Sequence, residues 1–310
     1  MKVVGVETFG GPAALAVHEV PEVHAGAGSV RIAVRAFAVN PTDTGVRAGE
    51  RDTSTAQAPY VPGMDAAGVI DEVGPDVEGW SVGDEVMAMA LPLTGHGGAY
   101  VEYLVAPVGS FTRIPRDTTI EEASTVPMNG LTAIQMLELA GLERGQTLAV
   151  TGAAGLLGNY VVQLAKAAGL TVVADSSEQD EPLVRSLGPD HVVRRGDGFA
   201  DAVRAIVPEG ADALFDCAVQ RDVVVPALRD GGVFVDVRGW EGNGAAGIRF
   251  ERVFVFSEYR SFDKLERLRH AVEGGTIVPR VAELLPAARA TEAHERLEAG
   301  GTRGRFVLTW

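Results

Sequence analysis

The stretch Val150 to Ser177, "VTGAAGLLGNYVVQLAKAAGLTVVADSS", joins an apolar strand, a turn of small residues, a run of helical period and a second strand that ends in acid. Its centre, Ala153-Ala154-Gly155-Leu156-Leu157-Gly158, is an alanine variant of the glycine fingerprint that holds dinucleotides. Gly155 lets the backbone approach a pyrophosphate, Gly158 lets the helix pack on the strand, and the helix start offers unpaired N–H groups to negative charge. Small residues between a strand and a helix also simply pack well, so the turn gains its weight from the strand–helix–strand around it. Asp175 closes the second strand. A carboxylate there accepts hydrogen bonds from an adenosine ribose and repels a 2′-phosphate, which points to NADH.

Outward from this stretch, strands and helices alternate: "TLAVTG", "LLGNYVVQLAKAAG", "TVVADS", "EPLVRSLG", "HVV", "FADAVRAIV", "ADALFDC", "VVVPALRDG" and "GVFVDVRG". Such alternation with short glycine-rich joints predicts a parallel sheet covered on both faces. From Met1 to about Pro115 the pattern is different. Runs such as "VRIAVRAFAV", "AAGVIDEVG" and "AYVEYLVAP" are short, alternating and separated by glycine turns, which predicts a mostly β domain. The last fifty residues return to helical period in "SFDKLERLRHAVEGG" and "EAHERLEAGG", then end in the strand-like "GRFVLTW".

Composition narrows the function. The 310 residues suggest about two domains, and 46% hydrophobic with 22% charged residues is ordinary for a globular protein. A net charge of −15 argues against a grip on nucleic-acid phosphate, which depends on clustered Lys and Arg. The single cysteine, Cys217, excludes an internal disulfide and a four-Cys zinc site, and fits a reducing compartment. No apolar run approaches a membrane span and the start lacks a leader-like core, so the expectation is a soluble cytoplasmic protein without a membrane partner.

Seven blocks together resemble the medium-chain dehydrogenase/reductase superfamily, in its zinc-independent quinone oxidoreductase branch of zeta-crystallin-like and enoyl-reductase enzymes. They are "VNPTDTGVRAG", "YVPGMDAAGVIDEVGPDVEGWSVGDEV", "GAYVEYLVAP", "ASTVPMNGLTAIQML", "VTGAAGLLGNYVVQLAKAAG", "SLGPDHVV" and "AHERLEAGGTRGRFVL". The resemblance implies an α/β chain in three parts: a GroES-like partial β-barrel over 1–122, a Rossmann doubly wound parallel sheet over 123–258, and a segment over 259–310 that returns to the first domain. It also implies a homodimer.

Against that pattern the zinc ligands are missing. Where the superfamily's zinc alcohol dehydrogenases place Cys before a short turn to Asp and then Gly-His-Glu, this chain has Asn40, a retained Asp43 and Gly63-Met64-Asp65. A neutral amide and a thioether replace thiolate and imidazole, so no metal site is expected and polarisation would come from hydrogen bonds. The resemblance makes Asn40, with Asp43, the candidate donor to a substrate carbonyl, and Thr132 a nicotinamide neighbour. The alternatives are Asx-type turn residues at Asn40 and Asp43 and an N-cap at Thr132. The six histidines show no metal spacing; His96, in "TGHGGAY", is the one weighed as a proton donor. Cys217 reads as a buried small hydrophobe, and Asp216 as a strand-end carboxylate facing either the cofactor or solvent.

Two departures alter what the resemblance implies. Gly45 stands where many relatives carry tyrosine, removing an aromatic wall or proton donor. Relatives that bind NADPH surround its 2′-phosphate with a hydroxyl, a basic residue and often tyrosine; here Ser176 matches the hydroxyl, Asp180 stands in place of lysine and Arg195 in place of tyrosine. Arg194 or Arg195 would pair with a phosphate while Asp175 and Asp180 oppose it. The expectation favours NADPH over NADH, held by Ala153 to Gly158, Asp175, Ser176 and Arg195. The implied activity is hydride transfer to a quinone or an α,β-unsaturated carbonyl compound, the alternatives being a pathway-specific enoyl reductase with a closed pocket and a non-catalytic NADPH-binding sensor.

Overall fold

The computed structural model describes residues 1–52, 54–92, 97–245 and 247–310. The chain divides into two compact units: Met1–Met128 with Phe256–Gly275 and Pro279–Trp310, and Asn129–Val255 with Thr276–Val278.

The first unit is built on a seven-stranded sheet. Its order is Val281–Pro286, Arg305–Thr309, Ser29–Ala38, Asp65–Val73, Glu85–Met89 and Phe111–Arg113, with Tyr103–Pro107 also pairing Ser29–Ala38. All pairs are antiparallel except Val281–Pro286 with Arg305–Thr309. The alternation of "SVRIAV" drives Val30, Ile32 and Val34 into the core, and a register shift between Val34 and Ala36 turns Phe37 in with them, where they meet Ile70, Tyr100, Phe111 and Phe306. Gly68 faces Val34 across the sheet, and a Cβ there would lie 2.2 Å from the Ala33 carbonyl oxygen. Only glycine permits that approach.

The second unit holds six parallel strands: β1 (Thr147–Thr151), β2 (Thr171–Ser176), β3 (His191–Arg194), β4 (Ala211–Asp216), β5 (Leu228–Asp236) and β6 (Arg249–Arg252). Their order, β3-β2-β1-β4-β5-β6, reverses direction at β1, the doubly wound arrangement whose ligands bind beyond the carboxyl ends of the strands at the switch point. β1, β2 and β4 are buried almost end to end, as a sheet covered on both faces requires. Helices Leu156–Ala167, Glu181–Ser186 and Phe199–Ile206 fill the first three crossovers. The fourth departs from the expected alternation. The stretch that includes "VVVPALRDG" forms 3-10 turns at Arg221–Val223 and Val225–Ala227 and then enters β5, because Pro226 lacks the N–H an extending helix needs. Among the described residues no helix is long and apolar enough to cross a membrane.

Candidate active site

The turn after β1 has the geometry of an anion cradle. Gly152 takes a left-handed φ of 70°, Ala153 and Ala154 are fully buried, and helix Leu156–Ala167 starts at Gly155 with no side chain capping it and no acid in its first turn. Its first N–H groups are therefore left for a ligand. Leu156 is buried and Leu157 half-buried against the unit. A Cβ on Gly158 would lie 2.3 Å from the Gly152 carbonyl oxygen, so the close packing of helix on turn depends on its missing side chain.

At the carboxyl end of β2 the side chains are held by one another. Asp175 is fully buried and accepts from the Ala153 backbone N–H at 3.0 Å and from Arg195 Nε at 3.2 Å. The Arg195 backbone N–H donates to the Ser176 carbonyl at 2.9 Å, extending the β3–β2 register by one residue. Ser176 Oγ donates to the Ser177 carbonyl, and Asp180 is turned inward to accept from Ser177 Oγ at 2.6 Å. Arg194, 3.7 Å from Glu178, is exposed. The structure thus gathers Ala153, Gly155, Gly158, Asp175, Ser176 and Arg195 at one end of the parallel sheet. Asp216, at the end of β4, is fully buried and accepts from Thr151 Oγ1 at 2.6 Å and from the Arg221 backbone at 2.7 Å, so it is not the solvated strand-end carboxylate of the second reading. Burial pushes the neighbouring Cys217 thiol up, which makes it a poor nucleophile.

In the first unit Asn40 and Asp43 lie together at the start of helix Pro41–Ala48, where the Asn40 backbone N–H donates to Asp43 Oδ2 at 2.8 Å. This is the turn reading weighed for them, with a larger network around it. Asn40 Nδ2 donates to Asp65 Oδ2 at 2.7 Å, while Asn40 Oδ1 accepts from Arg305 Nε at 2.8 Å. A guanidinium only donates and a carboxylate accepts, so these partners fix which way the amide points. Asp65 Oδ1 takes the Met128 backbone N–H at 2.7 Å. On the other side, Tyr100 Oη donates to Asp43 Oδ2 at 3.1 Å and lies 3.1 Å from His294 Nε2, whose Nδ1 faces Arg47 Nη1 at 3.4 Å. Arg47 cannot accept, so His294 Nδ1 is the acceptor and Nε2 carries the hydrogen. Arg47 ends on Glu298 at 2.7 Å.

All of Asn40, Asp43, Asp65, Tyr100 and His294 are fully buried. Burial pushes Asp43 up to about 7, against the Asn40 backbone hydrogen bond, and pushes Asp65 up to about 7 against that of Met128. Burial also drives His294 down to about 3, so it is neutral. The sequence reading missed Asp65, Tyr100, His294, Arg47 and Arg305 as members of this network. Asp65 and Tyr100 stand inside quoted blocks as polar residues beside apolar neighbours, the signal that could have found them, whereas His294 lies among Glu292, Glu295 and Arg296 and reads as a surface histidine, which its full burial corrects.

Thr132 is buried on helix Pro127–Ala140, well past its first residue, so the N-cap alternative does not hold. It belongs to the second unit, Asn40 and Asp43 to the first. His96 lies outside the described residues. Among those described, no group of three or more His, Cys, Asp or Glu is placed to hold a metal ion. A cavity of about 250 Å³ in the first unit, against Met89, Leu104 and Tyr259, touches none of the candidate residues.

Two families match the chain: the alcohol dehydrogenase GroES-like domain over residues 26–116 and the zinc-binding dehydrogenase domain over 187–308. A chloroplast envelope quinone oxidoreductase homolog of Arabidopsis thaliana is 31% identical over 99% of this chain and 98% of its own length. The 2-methylene-furan-3-one reductase of Solanum lycopersicum is 31% identical over 90% of this chain and 71% of its own. A mycobacterial protein solved in complex with NADPH superposes with a TM-score of 0.87 at 28% identity, each chain covered completely. With the doubly wound sheet and its glycine turn, these likenesses show that the chain belongs to the medium-chain dehydrogenase/reductase superfamily, among its quinone oxidoreductases and enoyl reductases.

Proposed function

We propose that the chain is a zinc-independent, NADPH-preferring reductase that delivers hydride to a quinone or to a C=C bond conjugated to a carbonyl. The observation that carries the reading is the uncapped helix start at Gly155 beside an Arg195 anchored at the end of β2, in a chain related over nearly its whole length to a quinone oxidoreductase homolog. The furanone reductase supports the acceptor class, since a 2-methylene-3-furanone is a C=C bond conjugated to a ketone.

When bound, the reduced nicotinamide supplies the hydride. The protein's part is to hold and orient. The N–H groups of the Gly155–Gly158 turn receive the pyrophosphate, and Arg195 receives the 2′-phosphate. We place Thr132 beside the reacting ring on the strength of the resemblance. For Asn40 and Asp43 the burial changes our reading. Both amide ends of Asn40 are engaged within the unit, so we assign it and Asp43 to positioning the Asp65–Arg305 cluster rather than to touching the substrate. Asn40→Ala is then expected to lower the melting temperature while kcat falls less than about tenfold; loss of an oxyanion donor would cost about 10²–10³.

The test of the activity is NADPH oxidation with 1,2-naphthoquinone and with medium-chain enones. Turnover of at least one is expected, and none by folded, cofactor-bound protein sinks the proposal. Chelator should leave the rate unchanged. For the cofactor, Arg195→Ala should weaken NADPH by about 1.5–3 kcal/mol and leave NADH nearly alone. We also take the protein to be cytoplasmic, and to be a homodimer; the exposed Phe254 beside the sheet-edge strand β6 supports the dimer, and sedimentation at low concentration decides it.

A further inference from the structure

Asp175 has the position of an NADH-selecting acid, yet both of its oxygens already have partners in the protein. One oxygen holds the Ala153 N–H and the other holds Arg195 Nε, and the side chain is wholly buried. Arg195 is pinned twice, through its backbone N–H on Ser176 and through Nε on Asp175, yet its side chain is 38% exposed. A guanidinium carries five N–H donors, of which Nε uses one. The four on Nη1 and Nη2 meet no partner among the described residues. What remains outward is the planar fork that fits phosphate bidentately, at reduced entropic cost because its stem is already fixed.

The neighbouring charges agree with this. Asp175 lies under the guanidinium and is paired with it, so the nearer charge to any ligand above is the positive one. Asp180 is turned inward to Ser177 Oγ, and Glu178 faces Arg194. We infer that Asp175 is a positioning residue that selects for NADPH, by setting Arg195 against the 2′-phosphate, instead of selecting for NADH by binding the ribose. The inference rests on the proposed reading that Arg195 meets that phosphate.

Asp175→Asn separates the two roles because their signs are opposite. The asparagine oxygen can keep the Ala153 N–H, which leaves its NH₂ facing Arg195 and releases the guanidinium. Dissociation constants for NADPH and NADH are read from nicotinamide fluorescence on protein shown to be folded by circular dichroism. The expected result is an NADPH constant raised about tenfold with NADH within about twofold, the scale of one charge-assisted contact. In an Arg195→Ala background the same substitution should leave the NADPH to NADH ratio unchanged.

Tighter NADPH with weaker NADH in Asp175→Asn overturns the inference and restores the ribose role. Should that variant not fold, Asp175→Glu keeps the charge while displacing the carboxylate; a selective loss of NADPH supports positioning and unchanged selectivity overturns it. The underlying reading fails separately. Equal losses of both cofactors in Arg195→Ala remove Arg195 from the phosphate, whereas a selective loss there without one in Asp175→Asn overturns the positioning role alone.

Discussion

One methyl group added at Gly158 would sit 2.3 Å from a backbone oxygen, and backbone cannot rotate away as a side chain can. Gly158→Ala is therefore expected to destabilise the protein by about 1–3 kcal/mol and to weaken both cofactors alike, read by thermal melting and by titration. The glycine turn was legible in the sequence for this reason: steric demand leaves few residue types. The pairing of Asp175 with Arg195 was not, because it depends on the β3–β2 register that brings a residue twenty positions away alongside it. Titration gives a second residue-scale prediction. Asp43 and Asp65 rise in the fold from about 4 to about 7, so their contribution is complete below about pH 4 and is lost as pH rises through 7. His294, lowered from 6.5 to about 3, acts with the opposite sign, adding stability as pH rises from 3 to 6.5. Two groups outweigh one, so the cluster loses stability between about pH 4 and 7. Asp43→Asn, followed by melting at pH 5 and pH 8, should show a smaller difference between the two than wild type.

The loop leaving β4 carries the strain of the second unit. Val219 has φ 58° and Arg221 φ 53°, left-handed values that a β-branched or bulky side chain adopts only under constraint. The constraint is visible: Asp216 holds the Arg221 N–H at 2.7 Å, and Thr151 Oγ1 holds that of Ala218 at 3.2 Å. Val219→Gly removes a cost of about 1–2 kcal/mol and adds about 0.5–1 kcal/mol of chain entropy, so a net gain of up to about 1.5 kcal/mol is expected in chemical denaturation. Periodicity showed that β4 ends here, yet it gave no sign of the strain, which arises from side-chain anchors on two strands. The same limit applied at Thr132. Several Ser and Thr residues precede that helix, and "ASTVPMNGLTA" does not reveal that Pro127 is its first residue.

At the scale of the whole molecule, the first unit is assembled from early and late stretches of chain. Strand Arg305–Thr309 pairs Ala36–Ala38 on one side and Val281–Pro286 on the other, burying Phe306, Val307 and Leu308. At about 1.5–3 kcal/mol per buried side chain, their loss rivals the 5–15 kcal/mol that stabilises a typical protein. A chain stopped after Gly304 should thus lose cooperative unfolding in a thermal melt. "GRFVL" was legible as a strand, but its partners were not, since an apolar strand looks alike whichever sheet it joins; only the resemblance pointed back to the first domain. This arrangement also sets an order of events on the ribosome. All six strands of the parallel sheet emerge before Arg305 does, while Ala36–Ala38, made early, wait with an open edge until nearly the whole of this sequence has been translated. During that interval the unpaired edge offers its backbone N–H and C=O groups to any other strand, the general hazard of a sheet closed by a late segment.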